Sequence, residues 1–571
     1  MLWGVIAIFG LFVLRLFYIQ VIQYGYYTEL ARESQVTKLT LFPERGKIYV
    51  RDGQEGVVPL VLNEPVYTVF ADPHEIRDAG KVKQKLREIA GAELIDAAFD
   101  RLGDRELRYV ILARQVTRKQ AELIQKADLA GIGLQKGSRR VYPENTMAAQ
   151  LLGYVNAEGK GQYGLEEALD GRLAGTNGML QAVTDVRRIP LTIGENNVSK
   201  PAVNGDDLVL SVDRSIQMQA EIVLKKGLDN AKATNGSIVV MNPNNGQVLA
   251  MANYPSYEPA KYNQVENFAL FQNPAVSMPY ENGSVIKTFT VGAGLDSGAV
   301  TLNSTFPDGT GCVQVADRRI CNVEEDPKKA AATMLDTLKY SLNTGVVYVV
   351  KQMGQGQIND AARNTLYGYF HDRFRFGQLT GIEQAGEAKG TVIAPTEQEG
   401  NSVRYANMAF GQGMDTTMIQ TTAGFSAMIN GGTYYRPTLV AGTYKNGSLV
   451  PTTAAVVEQG VLSEAHSAEI RDLIWQGRKQ GFFGKNDREG YKIGGKTGTS
   501  EVIDPKTGRY TKENSIGTYL GFGGTDTPQY VIMVRVQDSK VPGYAGTVAA
   551  GPIFNEMSNW MLEYMNIRPT Q

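Results

Sequence analysis

Three short stretches of this 571-residue chain carry side chains that could make and break an acyl bond. The first is Glu281-Asn282-Gly283-Ser284-Val285-Ile286-Lys287. Asn-Gly supplies a turn, and the Ser-Val-Ile-Lys-Thr-Phe-Thr that follows can begin a helix. At i, i+3 spacing Ser284 and Lys287 share one face. Burial would disfavour the charged form of that lysine, leaving a neutral amine able to take a proton. A serine hydroxyl then becomes a nucleophile without histidine. The helix N-terminus adds partial positive charge and free N–H groups where an oxyanion would form. Serine and lysine at this spacing arise by chance about once or twice in a chain of this size, so taken alone the pattern reads as a helix cap beside a solvated lysine.

The second stretch is Ser341-Leu342-Asn343, set between the apolar-patterned segment 331–340 and the apolar run 344–350. A hydroxyl there could relay a proton and an amide could hold a substrate peptide, although a local turn or cap needs the same residues. The third is Gly494-Gly495-Lys496-Thr497-Gly498-Thr499-Ser500, a strand bearing a cation and hydroxyls with glycines that admit another backbone at close range. A carboxylate could sit on Lys496, Thr497 and Thr499, and a backbone N–H of the same strand could point at an oxyanion. Lys506-Thr507-Gly508 repeats three letters, but it follows Asp504-Pro505 in a polar run and reads as an exposed hairpin turn. Each element is ordinary; the ordered set S-x-x-K, S-x-N and K-T-G is specific, and these are the penicillin-recognising signatures.

Groups so far apart in sequence need a scaffold. Leu208 to Val212 reads as an opening strand, 215–228 as an amphipathic helix, and 237–241 with 247–252 as a hairpin around Asn242-Pro243-Asn244-Asn245-Gly246. Helices dominate the middle. Strands return at 492–499, 517–521 and 530–536, before a final helix over 552–565. An antiparallel sheet flanked by helices is the natural packing, so the fold class is α+β. Upstream, 28–204 is charged and mixed, with a helical region expected between Lys81 and Lys126 and turns at Arg45-Gly46-Lys47-Ile48 and Gly164-Leu165-Glu166. The expected division is an anchor over 1–24, a scaffold over 25–205 and a catalytic domain over 206–571, the last boundary marked by Pro, Asn-Gly and paired acids within 201–207.

Composition narrows the function classes. A net charge of -1 does not favour nucleic-acid binding. Leu2 to Leu14 is unbroken apolar sequence and, after Arg15, Leu16 to Ile22 is nearly as apolar, enough for one membrane-spanning helix with a belt of Tyr18, Tyr24, Tyr26 and Tyr27. No small-residue cleavage pattern follows, so a retained anchor is expected rather than a signal peptide. Three scattered histidines, His74, His371 and His466, give no metal-type spacing, and no metal or other cofactor is expected. Cys312 and Cys321 could close a short hairpin in an oxidising compartment, stabilising it by roughly 2.5 to 3 kcal/mol, or could be two unrelated buried thiols.

Along nearly its whole length the sequence resembles the class B penicillin-binding proteins. Beyond the three motifs, Met241-Asn242-Pro243 through Met251 is similar to the family's first hairpin and Ala409-Phe410-Gly411-Gln412-Gly413 to its glycine-rich helix approach; Arg45 through Gly53 and Tyr154 through Glu166 resemble its pedestal motifs, with more likeness to the division or septal branch than to the elongation branch. Asn282 stands where a proline often precedes Gly-Ser, and Val50 where an acid is usual. The resemblance implies a pedestal below an extracytoplasmic transpeptidase domain, and a stem-peptide substrate ending in D-alanyl-D-alanine. It implies Ser284 as nucleophile, Lys287 as base, Ser341 as proton shuttle, Asn343 and Lys496 as positioning groups, and Thr497, Gly498 and Thr499 along the substrate. It also implies acylation by β-lactams and a membrane glycan polymerase as partner. No separate glycosyltransferase domain fits between anchor and catalytic region. A D,D-carboxypeptidase, a secreted β-lactamase and a non-catalytic penicillin-binding scaffold share the motifs. An α/β-hydrolase does not, because Ser284 lacks the G-x-S-x-G flank.

Overall fold

In a computed structural model of the chain, residues 2–28, 36–53, 56–183, 199–323, 327, 329–503 and 510–570 are described; Lys506, Thr507 and Gly508 lie outside them. The apolar start forms a helix over Leu2–Phe17 that continues as a π-turn over Tyr18–Ile22. Trp3–Ile22 is long and apolar enough to cross a membrane, and none of its residues is buried. At 1.5 Å per residue, twenty residues match a hydrocarbon core about 30 Å thick.

The chain divides into two compact units. One comprises Met1–Gly46, Asn63–Arg139 and Gly171–Asp206. Its helix Ala79–Ala90 starts at Asp78, whose side chain accepts the Lys81 N–H, and buries Val82, Leu86 and Ala90 at i, i+4, i+8. Helix Arg118–Lys126 starts at a capping box between Thr117 and Gln120. The expected helical region between Lys81 and Lys126 is therefore interrupted: Val110–Thr117 is a strand between the two helices. Val110, Leu112, Ala113 and Val116 enter the unit's core, and pairing with Val66–Ala71 satisfies the backbone, so tertiary packing overrides the local pattern.

The other unit comprises Lys47–Leu62, Arg140–Asp170 and Asp207–Gln571. Its centre is a five-stranded antiparallel sheet in the order Val248–Tyr254, Asn235–Met241, Pro528–Gln537, Tyr510–Gly524, Gly494–Ile503. Its central strands are apolar on both faces because helices cover both. Arg214–Ala231 and Gly551–Tyr564 contribute Leu224, Leu228, Phe554 and Met557 to one core with Ile238, Val534 and Tyr519. Helix Met418–Ile429 is buried at every residue, as a helix enclosed on all sides must be. Its Thr422 and Ser426 hydroxyls are satisfied by the carbonyls of Met418 and Thr422. The sheet ends with Gly494–Ile503 as an edge strand, its free side available to the turn that carries Ser284.

Candidate active site

The serine turn is built from residues that allow extreme backbone proximity. Gly283–Val285 forms a single 3-10 turn that leads into the buried helix Ile286–Asp296. Gly283 has φ +63°, and a Cβ added there would meet the Thr499 carbonyl oxygen at 2.7 Å. From the opposite side, a Cβ on Gly498 would lie 2.3 Å from the carbonyl oxygen of Asn282. Only glycines let the serine turn and the lysine strand come this close. S-x-x-K and K-T-G, separated by most of the domain in sequence, are thereby adjacent in space.

Lys287 lies one turn along, 1 % exposed, and its Nζ donates to the Ser341 carbonyl oxygen and, at 3.2 Å, to Ser341 Oγ. Ser341 follows helix Met334–Lys339 and has φ +59°, a left-handed conformation that costs a non-glycine residue about 1 kcal/mol and gathers at functional sites. The strain places hydroxyl and carbonyl on the same amine. Asn343 opens helix Asn343–Met353, and its Nδ2 donates to the Cys321 carbonyl at 2.8 Å. Cys312 and Cys321 are disulfide-bonded and close the hairpin Cys312–Val315/Arg318–Cys321. Beside it, Thr344 donates its N–H to Asn322 Oδ1 at 3.0 Å and its hydroxyl to Asp308 Oδ1 at 2.7 Å, tying the S-x-N helix start to the segment that follows the bonded cysteine.

On the lysine strand Lys496 is 6 % exposed, and its Nζ donates to the Thr497 carbonyl at 3.1 Å. Thr497 and Thr499 are half-buried on the alternate face, as the period of two requires. Thr499 Oγ1 accepts the Gly546 N–H at 3.2 Å. A cavity of about 150 Å³ opens beside Gly495, Lys496 and Thr497, with Thr288, Lys339 and Phe483 among its walls.

Of the residues that hold this frame, Gly411 is marked in the sequence by its glycine-rich segment, whereas Tyr280, Arg535 and Arg478 carry no such mark. A Cβ on Gly411 would approach the Gly283 carbonyl to 2.1 Å, so the glycine-rich approach is the backing of the serine turn. Arg535, 5 % exposed, sits 4.9 Å over the Tyr280 ring, and burial pushes the Tyr280 phenol up to about 12 despite that cation and the Thr518 hydrogen bond. Tyr280 therefore stays protonated at neutral pH and serves as a strut. Arg478 lies behind the lysine strand, bonded to Asp487 and Asn555 at 2.6 Å and to the Tyr519 hydroxyl. None of these pairs has a local spacing that would reveal it.

Comparison with known proteins gives two domain families. Residues 236–559 match the penicillin binding protein transpeptidase domain and 40–210 the penicillin-binding protein dimerisation domain. Stage V sporulation protein D of Bacillus subtilis is 30% identical over 582 residues, covering 100% of this chain and 85% of that protein. Peptidoglycan D,D-transpeptidase FtsI of Escherichia coli is 29% identical over 532 residues, covering 92% and 84%. Penicillin binding protein 3 of Mycobacterium tuberculosis, solved in complex with aztreonam, superposes with a TM-score of 0.69 at 22% identity, over 93% of this chain and 98% of that one.

Proposed function

Because the chain belongs to the penicillin-binding transpeptidase family, in the class B form that pairs a dimerisation domain with the transpeptidase domain, we propose a residue-level mechanism for its reaction. The protein is a peptidoglycan D,D-transpeptidase of the septal branch, a serine acyl-enzyme type and a target of β-lactams. Lys287, 1 % exposed, takes the Ser284 proton as general base as Oγ attacks the penultimate D-alanyl carbonyl. The oxyanion is held by the backbone N–H groups of Ser284 and Thr499. The C–N bond to the terminal D-alanine breaks, and the departing amine receives its proton through Ser341 Oγ, 3.2 Å from the lysine amine. Asn343 positions the donor peptide, while Lys496, Thr497 and Thr499 grip its terminal carboxylate, with Gly498 allowing the close approach. An amine of a second stem peptide then attacks the ester carbonyl and gives up a proton to Lys287; the acyl C–O bond breaks, Ser284 Oγ takes that proton back, and a peptide bond replaces the ester.

The observation that carries this reading is the buried Lys287 amine on Ser341, one helical turn from Ser284 in a turn packed on the lysine strand. Intact-mass measurement with and without penicillin, followed by adduct mapping, tests it: the adduct falls on Ser284 and is absent from Ser284→Ala. An adduct elsewhere, or one that persists in the variant, refutes the assignment. Cross-linked dimers as the main product distinguish the enzyme from a carboxypeptidase, which would release free tetrapeptide. Wall growth supported by Ser284→Ala in cells would instead favour a scaffold.

Residues 1–24 act as a single membrane anchor, 25–205 as the pedestal and 206–571 as the transpeptidase domain, lying outside the cytoplasm. The disulfide supports that placement, since an oxidising exterior keeps such a bond closed. A membrane glycan polymerase is the partner expected at the anchor and pedestal. A protease-protection assay on sealed vesicles that left the catalytic domain accessible from the cytoplasmic side would overturn the topology.

A further inference from the structure

Gly283 immediately precedes the proposed nucleophile, and a residue without a Cβ is a swivel. Something must fix the direction in which Ser284 leaves it. On the C-terminal side the helix does so. On the N-terminal side each flanking residue is tied to the segment 411–416: Tyr280 exchanges two backbone hydrogen bonds with Thr416, both 3.1 Å, Gly413 N–H donates to Glu281 Oε1 at 2.7 Å, and Gly283 N–H donates to the Gly411 carbonyl at 3.2 Å. Asn282 completes the series through its side chain. It is 2 % exposed, and its Nδ2 donates to Thr416 Oγ1 and, at 3.2 Å, to Thr421 Oγ1. The two hydroxyls lie 2.8 Å apart, and Thr421 Oγ1 donates a hydrogen bond to the Thr417 carbonyl at 3.1 Å. Apart from a long 3.5 Å contact of Nδ2 with the Tyr280 carbonyl, these donors lead toward the start of the buried helix Met418–Ile429, whose Thr417 cap is itself locked by Gln420.

The other half of the amide is unused. Asn282 Oδ1 is buried with no hydrogen-bond partner among the described residues. A buried amide satisfied on one side only is a stability cost that an alanine or leucine would avoid. A costly polar residue beside a nucleophile is the pattern expected where geometry outweighs stability. We propose that Asn282 is a positioning residue for Ser284: its amide, held by the Thr416 and Thr421 hydroxyls, stops the Gly283 swivel and fixes the serine Oγ on the axis of Lys287. This rests on the Ser284 reading above.

The test is the acylation of the full-length protein by a fluorescent penicillin, resolved into the dissociation constant of the initial complex and the first-order acylation rate constant, alongside Tm. Asn282→Ala is expected to slow the acylation step by roughly 10- to 100-fold, the penalty of misdirected reacting groups. The dissociation constant should stay within about twofold and Tm should be unchanged or higher, because the orphaned oxygen is gone. Thr421→Val should slow acylation as well, and Thr421→Ser should retain the parental rate. The Asn282→Ala/Thr421→Val pair should be no slower than Asn282→Ala alone, since both remove one path. Parental acylation in Asn282→Ala overturns the proposal. So does a rate loss that follows Tm across all variants, or one that Thr421→Ser shares with Thr421→Val, since each outcome marks the cluster as packing. If the parent protein carries its adduct on a residue other than Ser284, the nucleophile assignment fails instead, which the adduct map separates from failure of the positioning role.

Discussion

The contact between Gly498 and the serine turn sets a measurable limit on the site. An alanine Cβ at 498 would lie 2.3 Å from the Asn282 carbonyl oxygen and 3.2 Å from Val285 Cγ1. Neither is the tip of a flexible side chain, so the turn and the strand must separate by about 1 Å to regain ordinary contact. A displacement of that size between reacting groups costs roughly 10²-fold, or about 2.7 kcal/mol of transition-state stabilisation. The strand itself does not suffer: alanine replaces glycine in an extended segment with a gain of about 0.5 to 1 kcal/mol, which offsets part of the steric strain. Gly498→Ala should therefore fold, retain a Tm close to the parent, and be acylated about a hundred times more slowly by a fluorescent penicillin. Gly309→Ala is the control, because nothing lies within 4 Å of a Cβ there. If Gly498→Ala were acylated within threefold of the parental rate at unchanged Tm, the serine turn would not depend on that contact and the geometry of the oxyanion site would be wrong.

Other perturbations test the frame around the site. Arg478→Met removes a 4 %-exposed guanidinium that lies 5.0 to 5.4 Å from the ring centres of Phe483, Tyr519 and Phe554 and strands the Asp487 carboxylate, which burial already pushes upward. A loss of about 3 to 5 kcal/mol is expected, read as a lower Tm in calorimetry, and a shift under 2 °C would contradict it. Burial pushes the Asp296 carboxyl up, but hydrogen bonds from the Ser463 N–H, the Tyr369 hydroxyl and His466 outweigh it and hold the group below the usual carboxylate range. A depressed folded pKa contributes stability above the unfolded value near 3.8 and loses it as pH falls through the folded value, so Asp296→Asn should flatten the acid limb of a Tm-versus-pH curve below about pH 4. Replacing both Cys312 and Cys321 by serine should release about 2.5 to 3 kcal/mol of hairpin restraint, visible as faster amide exchange over 312–321 and at Asn343, whose side chain rests on the Cys321 carbonyl.

Local spacing carried far in this chain because local geometry sets it. The i, i+3 relation of Ser284 and Lys287 follows from one helical turn, the alternation of Lys496 against Thr497 and Thr499 from the strand period, and the hairpin around Asn242 to Gly246 from its turn residues. Local pattern was ambiguous where two arrangements satisfy it. The apolar recurrence from Lys81 to Lys126 suits a helix, yet Val110–Thr117 is drawn into a sheet because its partner strand lies elsewhere in the sequence. Cys312 and Cys321 were equally compatible with a bond and with two thiols until the register of the hairpin placed them opposite one another.

The same limit explains why the motifs and their glycines were visible while the partners they approach were not. A nucleophile and its base must sit within a few ångströms, and short segments meet that need most simply within one element, so they leave a spacing behind. The groups that aim them act across the fold: Asn282 reaches Thr416 and Thr421, Arg535 covers Tyr280, and Gly411 and Gly498 approach the serine turn from two sides. Such partners leave only single-residue signs, a glycine where a close approach is needed or a buried amide where an apolar residue would be more stable. In this site both signs converge on the residues just before Ser284. The precision of the acylation step is therefore expected to depend on positions 282, 283, 411 and 498 as much as on the lysines: at 282 and 498 a substitution should alter rate before it alters stability, whereas at Gly283 and Gly411, with φ of +63° and +86°, it should cost both.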